Sequence, residues 1–395
     1  MATYKHLDEE GLSQVWSKAT NKFADKETTE TELNKKFELP SGGTEGQVLT
    51  KTSSGVSWSN NDVNIDLSNK VDNETIEYNQ EKLKVKNGGI GIEQMDFELQ
   101  VRLGVLDISN YSGEEIGSKL EELPLDVQSM VLDLLTDDEL STRSLTDQTY
   151  ILSGFDTSLK STFADKISLK NATCQELLTF HDQHPDYLSN MVGKIFPVEI
   201  TNRGALDFQI VGIDHDDLAD SEGKASYSFL SYQIVDSCKQ ENDNNSGYWG
   251  RDNYGPWATS QPYYDLIGQD VKPYVKKITK IYGKPRSSTK NYLDSYIWVP
   301  SLAEVATGYT TIPGDNRTGV IIDGTVYDFY SSNQDSVRVK TIDPEIDYKS
   351  AATWFLRTVN STGSHRYGVR VGSAGNPYIV DSPNVEWGLA IGFCI

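Results

Sequence analysis

The sequence predicts a multidomain chain with an N-terminal helix and small β shaft segments, a central helical segment and a C-terminal α+β domain. Three observations predict this fold class: a narrow helical apolar stripe near the N-terminus, a Gly-, Ser- and Thr-rich stretch with only short apolar runs, and strand-like runs joined by long loops further on. A length of 395 residues also exceeds one ordinary domain. The predicted boundaries are 1–38 for a helical attachment and oligomerisation segment, 39–95 for the β shaft segments, 96–175 for a helical linker region and 176–395 for the C-terminal domain.

The first predicted helix and strands bury too little apolar surface to be stable alone. Leu12, Val15, Trp16, Ala19 and Phe23 recur at helical spacing, and so narrow an apolar stripe favours association with copies of itself. In the following segment only short runs such as "QVL" and "VSW" stand between turn residues. Because such short strands bury little surface, they predict a fibrous β shaft in which several chains wrap together.

The remaining chain alternates helical and extended patterns. Helical periodicity returns between 114 and 140, and residues 173–192 predict a helix that Pro185 interrupts. An apolar stripe at helical spacing predicts a further helix over 265–282, although Pro273 disturbs it. The predicted strands of the C-terminal domain are "LDFQIVGI" (206–213), "SYSFLSYQIV" (226–235), "YIWV" (296–299), "VRVKTI" (337–342), "WFLR" (354–357) and "YGVRV" (367–371).

The stretch "WGLAIGFCI", residues 387–395, is the most apolar in this acidic chain. At a period of two residues, large apolar side chains fall on one side and small ones on the other. Neither side is polar, which is typical of a strand in the centre of a sheet. The large side is Leu389, Ile391, Phe393 and Ile395, and the small side is Gly388, Ala390, Gly392 and Cys394.

Composition limits the classes of partner and cofactor. A net charge of −22 disfavours nucleic acid and anionic membranes, because both select for Lys and Arg. There is no apolar run of about 20 residues that predicts membrane insertion, and the charged start "MATYKHLDEEGL" is unlike a signal peptide. The three cysteines are scattered without a CxxC pair, so neither a disulfide framework nor a zinc site is expected.

Two acidic and histidine-containing stretches are candidate metal sites. "DHDDL" (214–218) follows a strand, and Asp side chains commonly bond their own backbone in turns, so a structural turn is the preferred interpretation. "HDQHPD" (181–186) fits the polar end of a helix. No metal or cofactor is therefore predicted. The sequence also lacks GxSxG, HExxH and P-loop motifs, which favours a non-catalytic protein.

A series of linked segments runs through the C-terminal half: "QIVGIDHDDLADSEGKASYSFLSYQIVDSC", "SGYWG", "VKPYVKKITKIY", "YIWVPSLAEV", "TWFLRTV" and "GLAIGFCI". In their order and approximate spacing over residues 175–395 they resemble a domain family found in phages and in surface proteins of Gram-positive gut bacteria. This family is distantly similar to the C-type lectin fold of formylglycine-generating-type domains and of the variable proteins of diversity-generating retroelements.

A second resemblance involves the shaft region. "GGTEGQVLTKTSSGVSW" and "TIEYNQEKLKVKNGGI" resemble recurrent segments of phage tail fibre and baseplate proteins. Together the two resemblances imply a virion protein with a C-type-lectin-like head. Two family features are missing: the lectin calcium motif Glu-Pro-Asn is absent, and the cysteine pair that binds metal in catalytic relatives has no counterpart, because Cys394 lies in the closing strand and Cys238 is isolated.

Two loops carry the predicted receptor contacts. After "SGYWG" the family continues with Ser-Glu-x-Arg, whereas this chain has the aromatic stretch "RDNYGPWATSQPYYD" (251–265). Residues 360–387 are similarly rich in Tyr, Asn and Arg among Gly and Ser, the composition of adaptable binding surfaces. The alternative is a pair of solvated loops with structural aromatics. The predicted contact residues are Arg251, Asn253, Tyr254, Trp257, His365, Arg366, Tyr367, Asn376, Tyr378 and Asn384.

The resulting hypothesis is a phage tail fibre or baseplate protein, expected in the virion, whose lectin-like head binds a host cell-surface receptor, either glycan or protein. We expect a homotrimer that contacts other tail proteins, and the resemblance implies a head that a retroelement diversifies. Two other classes remain open at this point. One is a tail-associated glycan-degrading enzyme that uses a carboxylate pair, and the other is a bacterial surface adhesin.

Overall fold

The chain is a mixture of helices and sheets, with helices in its central region and strands towards its C-terminus. This confirms the mixed fold class. The chain divides into two units, Met1–Ile108 and Ser109–Ile395. The computed structural model describes residues 47–52, 55–60, 76–79, 82–85, 95–239, 255–283, 289–308, 323–342, 353–359, 368–379 and 386–395.

The helices and strands have the following bounds. The α-helices are α1 (Phe97–Leu103), α2 (Gly113–Leu120), α3 (Leu125–Leu134), α4 (Asp137–Ser141), α5 (Leu145–Gly154), α6 (Thr157–Lys166), α7 (Cys174–Gln183), α8 (Gly255–Ser260), α9 (Tyr263–Leu266) and α10 (Leu302–Val305). Short 3-10 helices cover Ile108–Asn110, Pro185–Met191, Lys272–Tyr274, Asp328–Tyr330 and Asp335–Arg338. The strands are β1 (Gln47–Thr52), β2 (Gly55–Asn60), β3 (Ile76–Asn79), β4 (Lys82–Val85), β5 (Ile195–Ile200), β6 (Gly204–Ile213), β7 (Tyr227–Ser231), β8 (Gln233–Ile234), β9 (Asp236–Lys239), β10 (Ile278–Gly283), β11 (Lys290–Ser295), β12 (Thr341–Ile342), β13 (Trp354–Val359), β14 (Gly368–Val371), β15 (Pro377–Ile379), β16 (Glu386–Leu389) and β17 (Gly392–Cys394).

The first unit contains two antiparallel pairs of short strands. β1 pairs with β2, and β3 pairs with β4, at the positions of the predicted shaft strands. α1 follows, and the side chain of Asp96 accepts a hydrogen bond from the backbone of Leu99 at its start. The predicted helix over residues 12–23 lies outside the described residues. Two-stranded pairs of this length are marginal by themselves, as the sequence suggested.

The second unit begins with a helical region held by capping residues and close helix contacts. Ser112 and Thr173 begin α2 and α7, and each forms a reciprocal capping box with a glutamate three residues later. α2 and α5 approach closely, since a Cβ added at Gly154 would lie 2.2 Å from the carbonyl oxygen of Gly117. Only glycine fits at this position, so the backbones of α2 and α5 are in direct contact.

Two larger sheets lie in the described part of the C-terminal half. One has four strands in the order β17-β7-β6-β5, and every neighbouring pair in it is antiparallel. The other has five strands in the order β15-β14-β13-β16-β9, in which β13 and β16 are parallel. β10 and β11 form a separate antiparallel pair, and β12 joins β8 in a short parallel pair.

The helical region packs directly on the sheets. The Tyr227 hydroxyl on β7 donates to the carbonyl oxygen of Leu177 on α7 at 3.1 Å. Lys194, next to β5, donates to the carbonyl oxygen of Asp165 on α6 at 2.8 Å. These contacts cross residue 175, so the helices from Ser109 onward and the sheets belong to one compact unit.

The closing stretch 387–395 is central, but it is two strands rather than one. β16 lies between β13 and β9 in the five-stranded sheet, whereas β17 pairs with β7 in the other sheet. On its other side β17 exchanges backbone hydrogen bonds with Trp298, at 2.9 and 2.8 Å through Gly392. Every residue from Gly388 to Ile395 is buried. The stretch therefore connects the two sheets, a role that a period-two pattern cannot predict.

Three other elements differ from the sequence prediction. Residues 265–282 form the end of α9, a 3-10 turn at Lys272–Tyr274 and β10 instead of one helix. "YIWV" (296–299) is extended only as an isolated bridge at Trp298. "VRVKTI" (337–342) begins at the end of the 3-10 helix Asp335–Arg338 and forms a strand only over the two residues of β12. Proline and glycine interrupt the helical pattern of residues 265–282. The segments 296–299 and 337–342 each pair with only one or two residues of a neighbouring strand.

Candidate functional site

Three of the predicted receptor-contact residues lie in described parts of the chain. Trp257 is partly exposed on α8, Asn376 is exposed just before β15, and Tyr378 is partly exposed on β15. The others lie outside the described residues: Arg251, Asn253, Tyr254, His365, Arg366, Tyr367 and Asn384.

The structure brings the two predicted stretches to one sheet. β15, which carries Tyr378, is one edge of the five-stranded sheet, and β9 is the other edge. Cys238 on β9 is the cross-strand partner of Trp387 on β16, so both side chains lie on the same face. α8, the helix of Trp257, packs against β9, and Thr259 on α8 lies close to the Cys238 thiol. α8 therefore lies on the face of the sheet that carries Trp387.

An arginine lies between two aromatic rings on this face. The guanidinium carbon of Arg370 on β14 is 4.0 Å from the ring centroid of Tyr378 and 3.5 Å from that of Trp387. Arg370 and Tyr378 are direct cross-strand partners. Each such cation–π contact contributes about 0.5–2 kcal/mol, depending on burial. We call Tyr378, Arg370 and Trp387 the arginine ladder.

The arginine ladder suits recognition of a polar ligand. A guanidinium group offers planar, paired N–H donors to a carboxylate or hydroxyl group, while the aromatic rings provide rigid contact area. Among the described side chains, the indole nitrogen of Trp387 is one of the few buried polar atoms without a hydrogen-bond partner. Sequence analysis missed Arg370 and Trp387. Their signal was the composition of residues 360–387, the predicted contact stretch within which both lie.

A second group of polar residues is buried between β6, β7, β10, β13 and α10. We call it the buried ionic cluster. Lys280 donates hydrogen bonds to Asp216, to Glu304 at 2.9 Å and to the Tyr327 hydroxyl. Its ammonium group is also 4.2 Å from the ring centroid of Trp298. The charged and hydroxyl-bearing members of the buried ionic cluster are each at most 5% exposed: Asp216, Lys280, Glu304, Asp323, Tyr327 and Arg357.

Arg357 anchors one side of this cluster with a full set of hydrogen bonds. Its two terminal nitrogens each contact one oxygen of Glu304 at 2.6 Å. Its remaining donors reach the carbonyl oxygens of Ile281, Val299 and Asp323 at 2.9, 2.8 and 2.7 Å. The buried charge is thus completely paired, which is the condition for tolerating it in a core.

Burial and neighbouring charges shift the pKa values of the cluster's carboxyl groups in different directions. Burial favours the neutral form of Asp216, but the Lys280 charge and the contacts with His215 hold its pKa well below the usual range. Burial also acts first on Glu304, and the charges of Arg357 and Lys280 outweigh it, so its pKa is lowered. For Asp323 burial dominates, and its pKa rises to about 6 in spite of Arg357.

The stretch "DHDDL" has two different roles. Asp214 adopts a left-handed backbone with φ 46°, which agrees with the preferred turn interpretation. Asp216 differs from that interpretation, because its side chain is buried and ion-paired. Within the described ranges, no group of three or more His, Cys, Asp or Glu side chains is arranged to hold a metal ion. His181 contacts Asp214 at 3.1 Å and lies in the last turn of α7.

The cysteines are buried and unlinked. Cys174, Cys238 and Cys394 are all free thiols. Cys394 lies in β17 with its side chain buried, as the sequence predicted, and its sulfur is 3.4 Å from a carboxylate oxygen of Asp216. Burial raises its pKa well above the usual value.

Comparison with known proteins identifies no relative. The chain matches no family model, no curated protein and no solved structure. The resemblance to a lectin-like family and to tail fibre segments therefore stays a prediction. Among the described residues, no helix combines the length and apolar character needed to cross a membrane.

The buried Lys340 predicts a pH dependence of stability. Burial lowers its pKa from 10.5 to about 7. Between about pH 7 and pH 10 the unfolded chain therefore binds a proton that the folded chain does not, so this group makes unfolding less favourable as pH rises. We expect the free energy of unfolding, measured by urea titration, to rise over this interval, and Lys340→Met to remove that rise.

The matched control for Lys340 is the exposed Lys290, since Lys290→Met should leave the pH dependence unchanged. A Lys340→Met chain with the same slope as the unsubstituted protein would show that Lys340 keeps an ordinary pKa.

Proposed function

We propose that this chain is a phage tail fibre or baseplate protein that attaches the virion to a host cell. In this proposal the Ser109–Ile395 unit includes a C-type-lectin-like head that binds a cell-surface glycan or protein and acts by binding, without catalysis. The family-like segments of the C-terminal half and the tail-like segments of the shaft region support it.

The arginine ladder is the observation that carries the binding proposal. It places an arginine and two aromatic rings side by side on one sheet face, and one of those rings, Tyr378, belongs to a stretch selected for binding from sequence alone. The helix of Trp257, from the other selected stretch, lies on the same face. Rings and arginines grouped in this way are typical of the residues that dominate binding energy.

The proposed partners follow from charge and from the shaft. A net charge of −22 supports a partner other than nucleic acid or an anionic membrane. The short two-stranded pairs β1–β2 and β3–β4 support assembly with further copies, which we propose to be a homotrimer, and attachment to other tail proteins. Retroelement diversification of the head belongs to the same proposal and is tested by the genes beside this one.

Receptor binding is tested through the arginine ladder. We expect Tyr378→Ala combined with Arg370→Gln to reduce adsorption of the purified protein to cells of the phage's host at least tenfold, which corresponds to about 1.4 kcal/mol. Loss of the two cation–π contacts should lower the melting temperature by several degrees, but the protein should remain folded at the assay temperature, so the loss of adsorption should exceed what destabilisation explains. Adsorption is measured by fluorescence of labelled protein on washed cells.

The control for adsorption is Tyr292→Ala, which removes a tyrosine that is 65% exposed on β11, outside this sheet. Unchanged adsorption of the double variant would place the receptor site elsewhere. An equal loss of adsorption and of thermal stability would assign the ladder a structural role.

Assembly is tested by solution mass. We expect the intact chain to have a light-scattering mass of three times 44.1 kDa, and removal of residues 1–95 to weaken this assembly. The reason is that short strands become stable when several chains cover them. A monomer at micromolar concentration would contradict the trimer.

A further inference from the structure

Lys280 and Asp216 meet in a setting that differs from an ordinary ion pair. Lys280 is 2% exposed and Asp216 is 5% exposed, and their charged atoms are in direct contact. Glu304, 2% exposed, contacts the same ammonium group at 2.9 Å. A lysine amine, an acceptor carboxyl group and a second carboxyl group thus share one water-excluded space.

From this arrangement we propose that Lys280 and Asp216 join in an intramolecular isopeptide bond, with Glu304 as the proton-transferring catalytic residue. The product is an amide between the side-chain nitrogen of Lys280 and the side-chain carboxyl carbon of Asp216. This goes beyond receptor binding and does not depend on it.

The hydrogen bonds of Asp216 suit the reaction. One of its oxygens contacts Lys280, and the other accepts hydrogen bonds from the Ser228 hydroxyl at 2.6 Å and the Tyr327 hydroxyl at 2.8 Å. These two donors point at the oxygen on which negative charge develops when an amine attacks the carboxyl carbon. Fixed donors of this kind are the main means by which proteins stabilise such an oxyanion.

The reaction balances without any added reagent. A proton passes from the Lys280 ammonium group to the contacting oxygen of Asp216, which leaves a neutral amine and a neutral carboxyl group. The nitrogen then attacks the carboxyl carbon, and the other oxygen takes the electron pair. Glu304 accepts a second proton from the nitrogen and transfers it to the hydroxyl group, which leaves as water. One C–N bond forms, one C–O bond breaks, and nothing is oxidised or reduced.

Rigid elements hold all three groups in place. Lys280 lies within β10, and Asp216 lies in the connection between β6 and β7. Glu304 lies on α10, where one of its oxygens accepts a hydrogen bond from the backbone of Ser301 at 2.9 Å, and Arg357 holds both oxygens. Arg357 is thus a positioning residue. Reacting groups held at contact distance gain much of the rate of an intramolecular reaction.

Exclusion of water favours conversion of the buried ion pair into an uncharged amide. Trp298 lies 4.2 Å from the Lys280 ammonium group, measured to the ring centroid, and the Tyr327 ring lies at 5.0 Å. Removing an ion pair from water is costly, and conversion to an amide removes both charges. The same exclusion of water prevents hydrolysis of the amide once it has formed.

Mass spectrometry of the intact, unsubstituted chain tests the proposal directly. We expect a mass lower by one water molecule than the sequence requires. A tryptic digest should contain a branched peptide that joins the Asp216 and Lys280 segments, with no cleavage after Lys280. The full sequence mass, or a water loss located within a linear peptide, would overturn the proposal.

An internal control comes from Lys272 and Asp265, whose charged atoms are 3.0 Å apart with Asp265 82% exposed. This exposed pair should give no branched peptide in the same digest. If it does, proximity alone explains the product and the proposed role of the buried site is wrong.

Three variants identify the reacting atoms. Lys280→Arg keeps the positive charge and should abolish the loss of water. Asp216→Asn should lose ammonia instead of water, because the group displaced from the side-chain carbon is then the amide nitrogen. Glu304→Gln should leave most chains unlinked. A branched peptide at this position in the Lys280→Arg chain would overturn the assignment, and the result for the unsubstituted chain stands even if a variant fails to fold.

Discussion

Truncation after Trp387 is expected to abolish cooperative unfolding of the Ser109–Ile395 unit. The deleted stretch includes four side chains that are at most 1% exposed: Leu389, Ile391, Phe393 and Ile395. Each contributes about 1.5–3 kcal/mol when buried, so their sum is comparable to the whole stability of a domain, about 5–15 kcal/mol. The truncation also removes the partner of β7 and half of β16.

Thermal denaturation followed by near-ultraviolet circular dichroism measures this effect. A truncated chain that stays soluble and melts cooperatively would show that the closing stretch is peripheral. A single-residue version is Phe393→Ala, since the Phe393 ring is 5.1 Å from the Phe208 ring and 5.0 Å from the Phe229 ring. It should cost about 3–5 kcal/mol, whereas Tyr292→Ala at an exposed position should cost little.

The second large effect is expected from Glu304→Gln, through loss of charge in the buried ionic cluster. The substitution keeps size and shape but leaves the charge of Arg357 buried without its carboxylate partner. Breaking a buried ion pair on one side costs about 3–5 kcal/mol, because the remaining charge is uncompensated. Urea denaturation at the same pH measures the difference, with Lys280→Arg present in both proteins so that the proposed amide cannot form in either.

The matched control is Asp265→Asn, which removes the carboxylate from the exposed pair with Lys272. Exposed ion pairs contribute about 0–1 kcal/mol, so this variant should unfold close to the unsubstituted protein. Equal effects of the two substitutions would mean that the cluster is hydrated in solution.

Much of the strand content followed from apolar patterning. Four observed strands overlap segments predicted as strands, because each is an apolar run bounded by turn residues: β6, β7, β13 and β14. Burial was also predictable where conformation was not. Ile267, Val271, Val275 and Ile278 are all buried, although they belong to a turn and a strand instead of the predicted helix.

The buried ionic cluster could not be predicted from the sequence. Lys280 is 64 residues from Asp216 and 24 from Glu304, and no local pattern links them. Asp side chains commonly bond their own backbone in turns, so the sequence predicted a structural turn for 214–218 and not a buried ion pair at Asp216. The arginine ladder was half predictable. The aromatic loops indicated the region, but the pairing of β14 with β15, and of β13 with both β14 and β16, decides which residues meet.

The pairing of β17 with β7 has a consequence for how the chain folds as it is made. Cys394 and Ser228 are separated by 166 residues. At about 5–20 residues per second, a ribosome needs on the order of 10–30 s to make the intervening segment. Throughout that interval β7 presents an open edge with Phe229 and Leu230, the kind of surface that aggregates or recruits chaperones. The four-stranded sheet therefore closes late, and its yield in cells depends on protection of a nascent β7.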